Sequence, residues 1–149
     1  MPSPVIQTDA DERGGLLSPD GRWIAYVANS SGPFEVYVQP FPGPGPRVQV
    51  STKGGDQIRW GASGRELFYI ALDGKLMSAP LQFAPDGRSV SLDTPVPLFT
   101  THVGRVSLVG PNGNYVVSAD AQRFLMNTVV QDPVGAPIRL ILNWNAPQP

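Results

Sequence analysis

The chain lacks cysteine and contains a single histidine, and both scarcities restrict its chemistry. Without cysteine there can be no disulfide, no thiolate nucleophile and no cysteine-ligated metal. A single histidine means that any Ser-His-Asp triad would have to form around His102. The missing cysteines leave the cellular compartment open, because proteins without disulfides occur in every compartment.

Charge and long apolar runs are also scarce. Charged residues make up 15% of the chain and its net charge is −1, whereas an average soluble domain has roughly 25% charged residues. This balance predicts no nucleic acid and no anionic membrane surface as a partner, because both attract clustered positive charge. No run approaches the roughly 18 apolar residues of a membrane span. Residues 1–8 contain neither a basic nor an apolar segment, so we expect no signal peptide.

Glycine and proline are plentiful, with 16 and 17 residues, and they separate short apolar runs along the whole chain. No long segment shows an apolar period of 3.6 residues. This pattern predicts an all-β protein with almost no helix.

A repeat is visible in the sequence. Residues 18–27, which begin Ser-Pro-Asp-Gly-Arg, align with residues 61–70, which begin Gly-Ala-Ser-Gly-Arg, and residues 118–127 form a weaker third copy. Each copy is a turn between two apolar strands, which predicts a hairpin. The strands that follow also correspond: residues 35–39 match 75–80 and 138–144, and residues 47–52 match 96–100.

Each unit therefore has four short strands within about 40–45 residues, the length of a β-propeller blade. We predict three four-stranded blades, at residues 9–52, 53–100 and 101–149, with residues 5–8 as an orphan outer strand. The third unit stops after its third strand, so the orphan strand would complete it. Three blades cannot close a ring, and open ends would expose apolar faces.

Three assemblies are consistent with this strand count. The simplest is a homodimer by strand exchange, in which two half-rings form a six-bladed propeller. A larger protein of which this chain is a piece gives the same count. An open sandwich is the third arrangement.

The repeats resemble those of a known family. The segment 17–26, with Ser18-Pro19-Asp20-Gly21-Arg22, is similar to the Pro-Asp blade repeats of TolB-type propellers. The segments 35–43 and 64–69 and the ending Ile-Leu-Asn-Trp at 141–144 resemble the C-terminal propeller of certain bacterial serine/threonine protein kinases. The resemblance covers nearly the whole chain and implies a sensing or binding module. Kinase motifs are absent from the sequence, so we expect no phosphorylation activity. TolB relatives suggest the periplasm, but they do not assign a compartment to this chain.

The loops that enter the inner strands are the candidate site, because they would surround the propeller axis. Glu12, Asp56 and Asn112 fall at nearly equivalent positions, and Asn114 lies beside them. A ring of carboxylate and amide oxygens suits calcium, which could polarise a carbonyl. His102 would then serve as the catalytic base. The simpler interpretation is that these polar residues cap turns.

Four further residues are candidate ligand-binding groups. Arg13 and Arg105 lie in or next to the axial loops, and Arg59 and Trp60 lie on an inner strand where one could face the channel. The simpler interpretation of such aromatic residues is packing between blades.

Two functions remain. The first is a non-catalytic propeller that binds a peptide, a glycan fragment or a small molecule at its channel face. The second is a calcium-dependent hydrolase of lactones or esters. The family resemblance favours the first.

Overall fold

A computed structural model describes residues 5–6, 8–43, 45–103 and 114–128. In this part of the chain the regular structure consists of strands alone: β1 Glu12–Leu17, β2 Trp23–Ala28, β3 Glu35–Pro40, β4 Val48–Gln49, β5 Gly55–Trp60, β6 Glu66–Ala71, β7 Lys75–Phe83, β8 Val90–Leu92, β9 Val96–Thr100, β10 Tyr115–Val117 and β11 Phe124–Met126. The described residues include no helix that could cross a bilayer. The all-β prediction is confirmed.

The strands form successive antiparallel sheets, and none of them closes on itself. The first sheet has the order β1-β2-β3-β4. In the second, β5, β6 and β7 are neighbours, and β9 pairs with the first half of β7 as the predicted fourth strand. The third unit is described as the β10–β11 hairpin. Its predicted strand at residues 138–144 and the rest of residues 129–149 lie outside the described residues.

The predicted repeat turns share one hydrogen-bond pattern. In each, the backbone N–H of the first residue donates to the carbonyl five residues later at 2.9 Å: Ser18 to Trp23, Gly61 to Glu66, and Ser118 to Arg123. The fourth residue of each turn has a positive φ: 70° at Gly21, 69° at Gly64 and 57° at Ala121. Glycine adopts this conformation freely, whereas an L side chain is strained in it.

We therefore expect Ala121→Gly to stabilise the protein by about 0.5–1 kcal/mol, after allowing for the greater freedom of glycine in the unfolded chain. Urea unfolding of the two proteins measures the difference. Gly21→Ala, at the equivalent turn, should shift stability in the opposite direction. Equal stability of Ala121→Gly and the parent would show that the Asp120–Ala121 turn is unstrained.

A bulge interrupts the pairing at equivalent points of the first two sheets. The register shifts between Arg13 and Leu16 in the first sheet and between Asp56 and Arg59 in the second. The register pairs Arg13 with Val27 and Asp56 with Ile70, which are equivalent strand positions. Asp56 therefore corresponds to Arg13, one residue away from the near equivalence with Glu12 that the sequence suggested.

The sheets stack face to face along the chain. One core lies between the first and second sheets and contains Trp23, Val27, Val36, Leu67 and Tyr69. A second core joins the other face of the second sheet to the β10–β11 hairpin, through Phe68, Ile70, Leu76 and Tyr115. Each face of the second sheet is thus covered by a neighbouring unit.

The outer face of the first sheet carries Tyr26, Ala28 and Tyr37, with Ile6 packed against them. Val5, Ile6 and Thr8 belong to no strand in the single chain. The predicted pairing of residues 5–8 with another copy stays a prediction.

An arm extends the second sheet beyond the predicted pattern. β7 has nine residues, and its far half pairs with β8, Leu81 opposite Leu92 and Phe83 opposite Val90. The ring of Phe83 lies 4.9 Å from that of Trp23, so the arm covers the edge of the first core. Its tip, residues 84–89, is a fourth copy of the repeat turn: Ala84 N–H donates to the Ser89 carbonyl at 3.0 Å.

Candidate functional site

The candidate site is the end of β1, β5 and β10 where Glu12, Arg13, Asp56, Gln57 and Asn114 lie, which we call the rim. It depends on the side-by-side placement of β1, β5 and β10. The indole Nε1 of Trp60 on β5 donates to the Leu16 carbonyl on β1 at 3.1 Å. The guanidinium Nε of Arg59 donates to the Tyr115 carbonyl on β10 at 3.0 Å. These two bonds connect β1 to β5 and β5 to β10.

Arg59 and Trp60 are thus engaged by the protein itself. Arg59 also donates from Nη1 to the Ile58 carbonyl at 2.7 Å and lies 5.5 Å from the centre of the Tyr115 ring. Burial raises the pKa of Tyr115 far above its usual range, and the nearby Arg59 charge only partly opposes this. In the single chain, the contacts of both residues join neighbouring units.

Arg13 and Asp56 form an ion pair across the rim. The Arg13 Nη2 atom lies 3.8 Å from Asp56 Oδ2, and the two side chains are 23% and 19% exposed. The guanidinium also lies 3.4 Å above the Phe34 ring, a cation–π contact. Arg13, a candidate ligand-binding residue, and Asp56, a candidate metal ligand, are therefore ion-pair partners in the structure. A ligand carrying either charge would compete for one of them.

Gln57 and Asn114 connect the rim to the third unit. Asn114 N–H donates to Gln57 Oε1 at 2.9 Å. Gln57 is 8% exposed, and its Nε2 has no hydrogen-bond partner among the described residues. It also has a φ of 54°, the conformation that its counterpart Gly14 adopts at 65°. A buried amide held in such a backbone conformation is a feature that clusters at functional sites.

Glu12 is another of the metal candidates. The Glu12 carboxylate accepts a hydrogen bond from the Thr8 hydroxyl. Within the described ranges, no three His, Asp or Glu side chains are close enough together to hold a metal ion. Asn112 and Arg105 lie outside the described residues.

His102 is exposed and follows β9, the outer strand of the second sheet. Next to it, Thr101 N–H donates to the Gly74 carbonyl at 2.8 Å, at the turn between β6 and β7. β5 and β9 are three strand spacings apart in the sheet order, which corresponds to roughly 14 Å. The structure does not bring His102 together with Asp56.

Glu35 holds the segment that leads into the rim, and no sequence pattern singled it out as a site residue. It is 2% exposed at the start of β3, and its Oε1 accepts the Gly54 N–H at 2.9 Å. Its Oε2 accepts the hydroxyl of Ser51, whose oxygen in turn accepts the Val36 N–H at 2.9 Å. These bonds fasten the segment before β5 onto β3. The sequence signal was a lone acidic residue beginning an otherwise apolar strand.

No protein-family model matches the chain, and no curated protein matches it significantly.

Proposed function

We propose that the chain is a TolB-type β-propeller segment that acts as a non-catalytic binding module, with its ligand site at the rim. The observation that carries the proposal is the side-by-side placement of β1, β5 and β10, linked by Trp60 and Arg59. Inner strands of propeller blades are neighbours in the same way around a central axis. Loops at that end of a propeller are where ligands bind.

The stacking of the units supports the same proposal. Three units with one turn geometry follow each other along the chain, and each buries apolar side chains against the next. Repeat proteins bury a continuous core in this manner, because each unit contacts its neighbours.

The rim favours binding over hydrolysis. Its acidic residues each have a protein partner, Thr8 for Glu12 and Arg13 for Asp56. It also presents a charge pair and a buried amide, groups suited to polar recognition. The calcium-dependent hydrolase remains the alternative that chelation and an ester substrate would test.

A titration followed by NMR tests the proposal, with tri-N-acetylchitotriose and a terminally blocked alanine tripeptide as probes. We expect one of them to shift the rim amides, including those of Gly55 and Gln57. Asp56→Ala should weaken that binding about tenfold, the effect of one hydrogen bond to a charged group. Folding should change by less than about 1 kcal/mol, because the Arg13 pair is partly exposed.

Asp73→Ala is the matched control, since it removes an aspartate whose ion pair with Lys75 is exposed and outside the rim. It should leave binding unchanged. Shifts confined to residues outside the rim, or equal binding by Asp56→Ala, would contradict a rim site. The hydrolase would replace this proposal if the protein released alcohol from an ester probe and a calcium chelator stopped that release.

We further propose that a second copy of the chain is a partner. Val116 and Leu125 face each other across β10 and β11 and are 53% and 76% exposed. The equivalent pair Arg59 and Phe68 faces the third unit, and Phe68 is fully buried there. The exposed pair therefore continues an interface that the chain already uses between its own units.

The outer face of the first sheet is the complementary end of this stack. A cleft of about 430 Å³ remains open on it, lined by Tyr26, Gln39 and Arg47 among others. Packing of another sheet on this face would fill that space. A two-fold arrangement would join the two kinds of end twice and close a ring.

The solution mass, measured with and without a calcium chelator, tests this assembly. We expect a species of about twice the 16.0 kDa chain at high concentration. If the chelator dissociates it, calcium takes part in the assembly. A monomer at all concentrations would contradict the second copy as partner and leave a segment of a larger propeller.

A further inference from the structure

Two identical Pro-Asp-Gly-Arg turns lie close together at the end of the sheets opposite the rim. One, residues 19–22, joins β1 to β2, and the other, residues 85–88, is the tip of the β7–β8 arm. In both, the glycine N–H donates at 2.9 Å to the carbonyl three residues earlier. The Arg22 Nη1 atom lies 3.7 Å from the place where a Cβ on Gly87 would be. The missing side chain of Gly87, whose φ is 67°, leaves this approach open.

The acidic residues of the two turns are used within the turns. Asp20 Oδ1 accepts the Ser18 hydroxyl at 2.6 Å and the Arg22 N–H at 3.1 Å. These bonds, that of Ser18 first, lower the pKa of Asp20. Asp86 Oδ1 likewise accepts the Arg88 N–H at 2.9 Å. The two guanidinium groups are exposed, and neither has an ion-pair partner in the described part of the chain.

A cleft of about 640 Å³ separates the two turns from the connection between β3 and β4. The charged residues that line it are Arg22, Arg88 and Asp86, and the Asp86 carboxylate accepts the Arg88 N–H within its own turn. Four apolar rings also line it, and we call them the wall: Pro40, Phe41, Pro42 and Pro46. The Phe41 N–H donates to the Arg22 carbonyl at 2.7 Å, which fixes the wall to the first turn. This bond thus connects the apolar wall directly to the turn that carries Arg22.

We propose that this cleft binds a carboxylate carried on an aromatic or aliphatic group, with the carboxylate between Arg22 and Arg88 and the apolar part against Phe41. Arginine forks match carboxylates in geometry and charge. The proline and phenylalanine rings remove the apolar part from water. The volume lies within the range of small-ligand sites. The cleft is at the opposite end of the strands from the rim, so this inference does not depend on a ligand there.

Two kinds of ligand carry a carboxylate on an apolar group. One is a small aromatic acid, and the other is a peptide with an acidic side chain beside an apolar residue. The experiment follows backbone amides of the uniformly labelled full chain during titration with 3-phenylpropionate. We expect shifts at Gly45 and Gly87. Arg22→Gln and Arg88→Gln should each weaken binding about tenfold, as loss of a hydrogen bond to a charged group predicts. A blocked tripeptide with a central glutamate next to phenylalanine is titrated in parallel, and the tighter of the two probes identifies the source.

Arg65→Gln is the matched control. Arg65 occupies the same repeat position as Arg22, is exposed, and has the same backbone role, since its carbonyl accepts the Leu81 N–H at 2.8 Å. It does not line the cleft, so binding should stay within about twofold of the parent. Equal binding of the neutral 3-phenylpropanamide, or equal weakening by Arg65→Gln, would overturn the proposal. Absence of shifts at Gly45 and Gly87 with both acidic probes would overturn it as well.

Discussion

Replacement of Glu35 by alanine is expected to lower the free energy of unfolding by about 3 kcal/mol. The carboxylate is buried and accepts hydrogen bonds from the Ser51 hydroxyl and the Gly54 N–H. Removal leaves both donors buried without an acceptor, and each such donor costs about 1–3 kcal/mol. The lost side chain also leaves a cavity, which adds to the cost. Urea unfolding monitored by tryptophan fluorescence measures the change, since Trp23 is buried in the adjoining core.

Glu66→Ala is the matched control for Glu35. Glu66 also accepts a serine hydroxyl across a strand pair, that of Ser78, but it is only partly buried. Water can replace its bonds, so the loss should be about 1 kcal/mol or less. Glu35→Gln keeps the shape and one acceptor and should lie between the two alanine variants, which gives a measurable protein if Glu35→Ala fails to fold. Equal losses for Glu35→Ala and Glu66→Ala would show that the buried bonds at Glu35 contribute no more than the partly buried bond at Glu66.

The local structure that the sequence predicted best is the repeat turn. Its signature is a glycine between two short apolar runs, and the backbone of Gly21 and Gly64 adopts the positive φ that only glycine takes freely. Even the altered copy at Ala121 keeps the geometry, because Asp120 accepts the Ser118 hydroxyl and the Gln122 N–H. Local hydrogen bonds of this kind are contained within a few residues, so a single sequence carries enough information to predict them.

The arm formed by β7 and β8 was missed although the same signal is present. Residues 85–88 repeat the Pro-Asp-Gly-Arg of residues 19–22 letter for letter. Residues 96–100 already supply the fourth strand of the second unit, so the repeat count does not call for an additional turn before them. The arm became identifiable only through its long-range contacts, such as Phe83 on Trp23.

The rim was predicted as a location but not as a set of contacts. The first residues of β1 and β5 do come together, as the ion pair of Arg13 with Asp56 shows. The offset that relates Ser18 to Gly61 also relates Arg13 to Asp56, because the two bulges lie at equivalent points of the first and second sheets. A one-residue slip in such an alignment assigns a side chain to the wrong face of a strand. Pairings between units, such as Trp60 with Leu16, leave no local pattern in the sequence.

Phe68→Ala, in the core that joins the second and third units, is expected to cost about 3–5 kcal/mol. Phe68 is fully buried, and its ring meets that of Phe124 edge to face at 5.2 Å. Truncation removes this aromatic pair and leaves a void between the sheet and the hairpin. The effect is measured by urea unfolding in dilute protein.

Leu125→Ala completes the comparison, because Leu125 occupies the position of Phe68 in the third unit and is 76% exposed in the single chain. In dilute, monomeric protein it should change stability by less than about 0.5 kcal/mol. At concentrations where two copies assemble, it should lower the unfolding midpoint and the dimer affinity, since binding to the folded state stabilises by mass action. A Leu125→Ala protein that matches the parent at both concentrations would show that no second copy packs on this face. Phe68 and Leu125, at equivalent positions of two units, thus report on a buried interface within the chain and on an exposed face at the end of the stack.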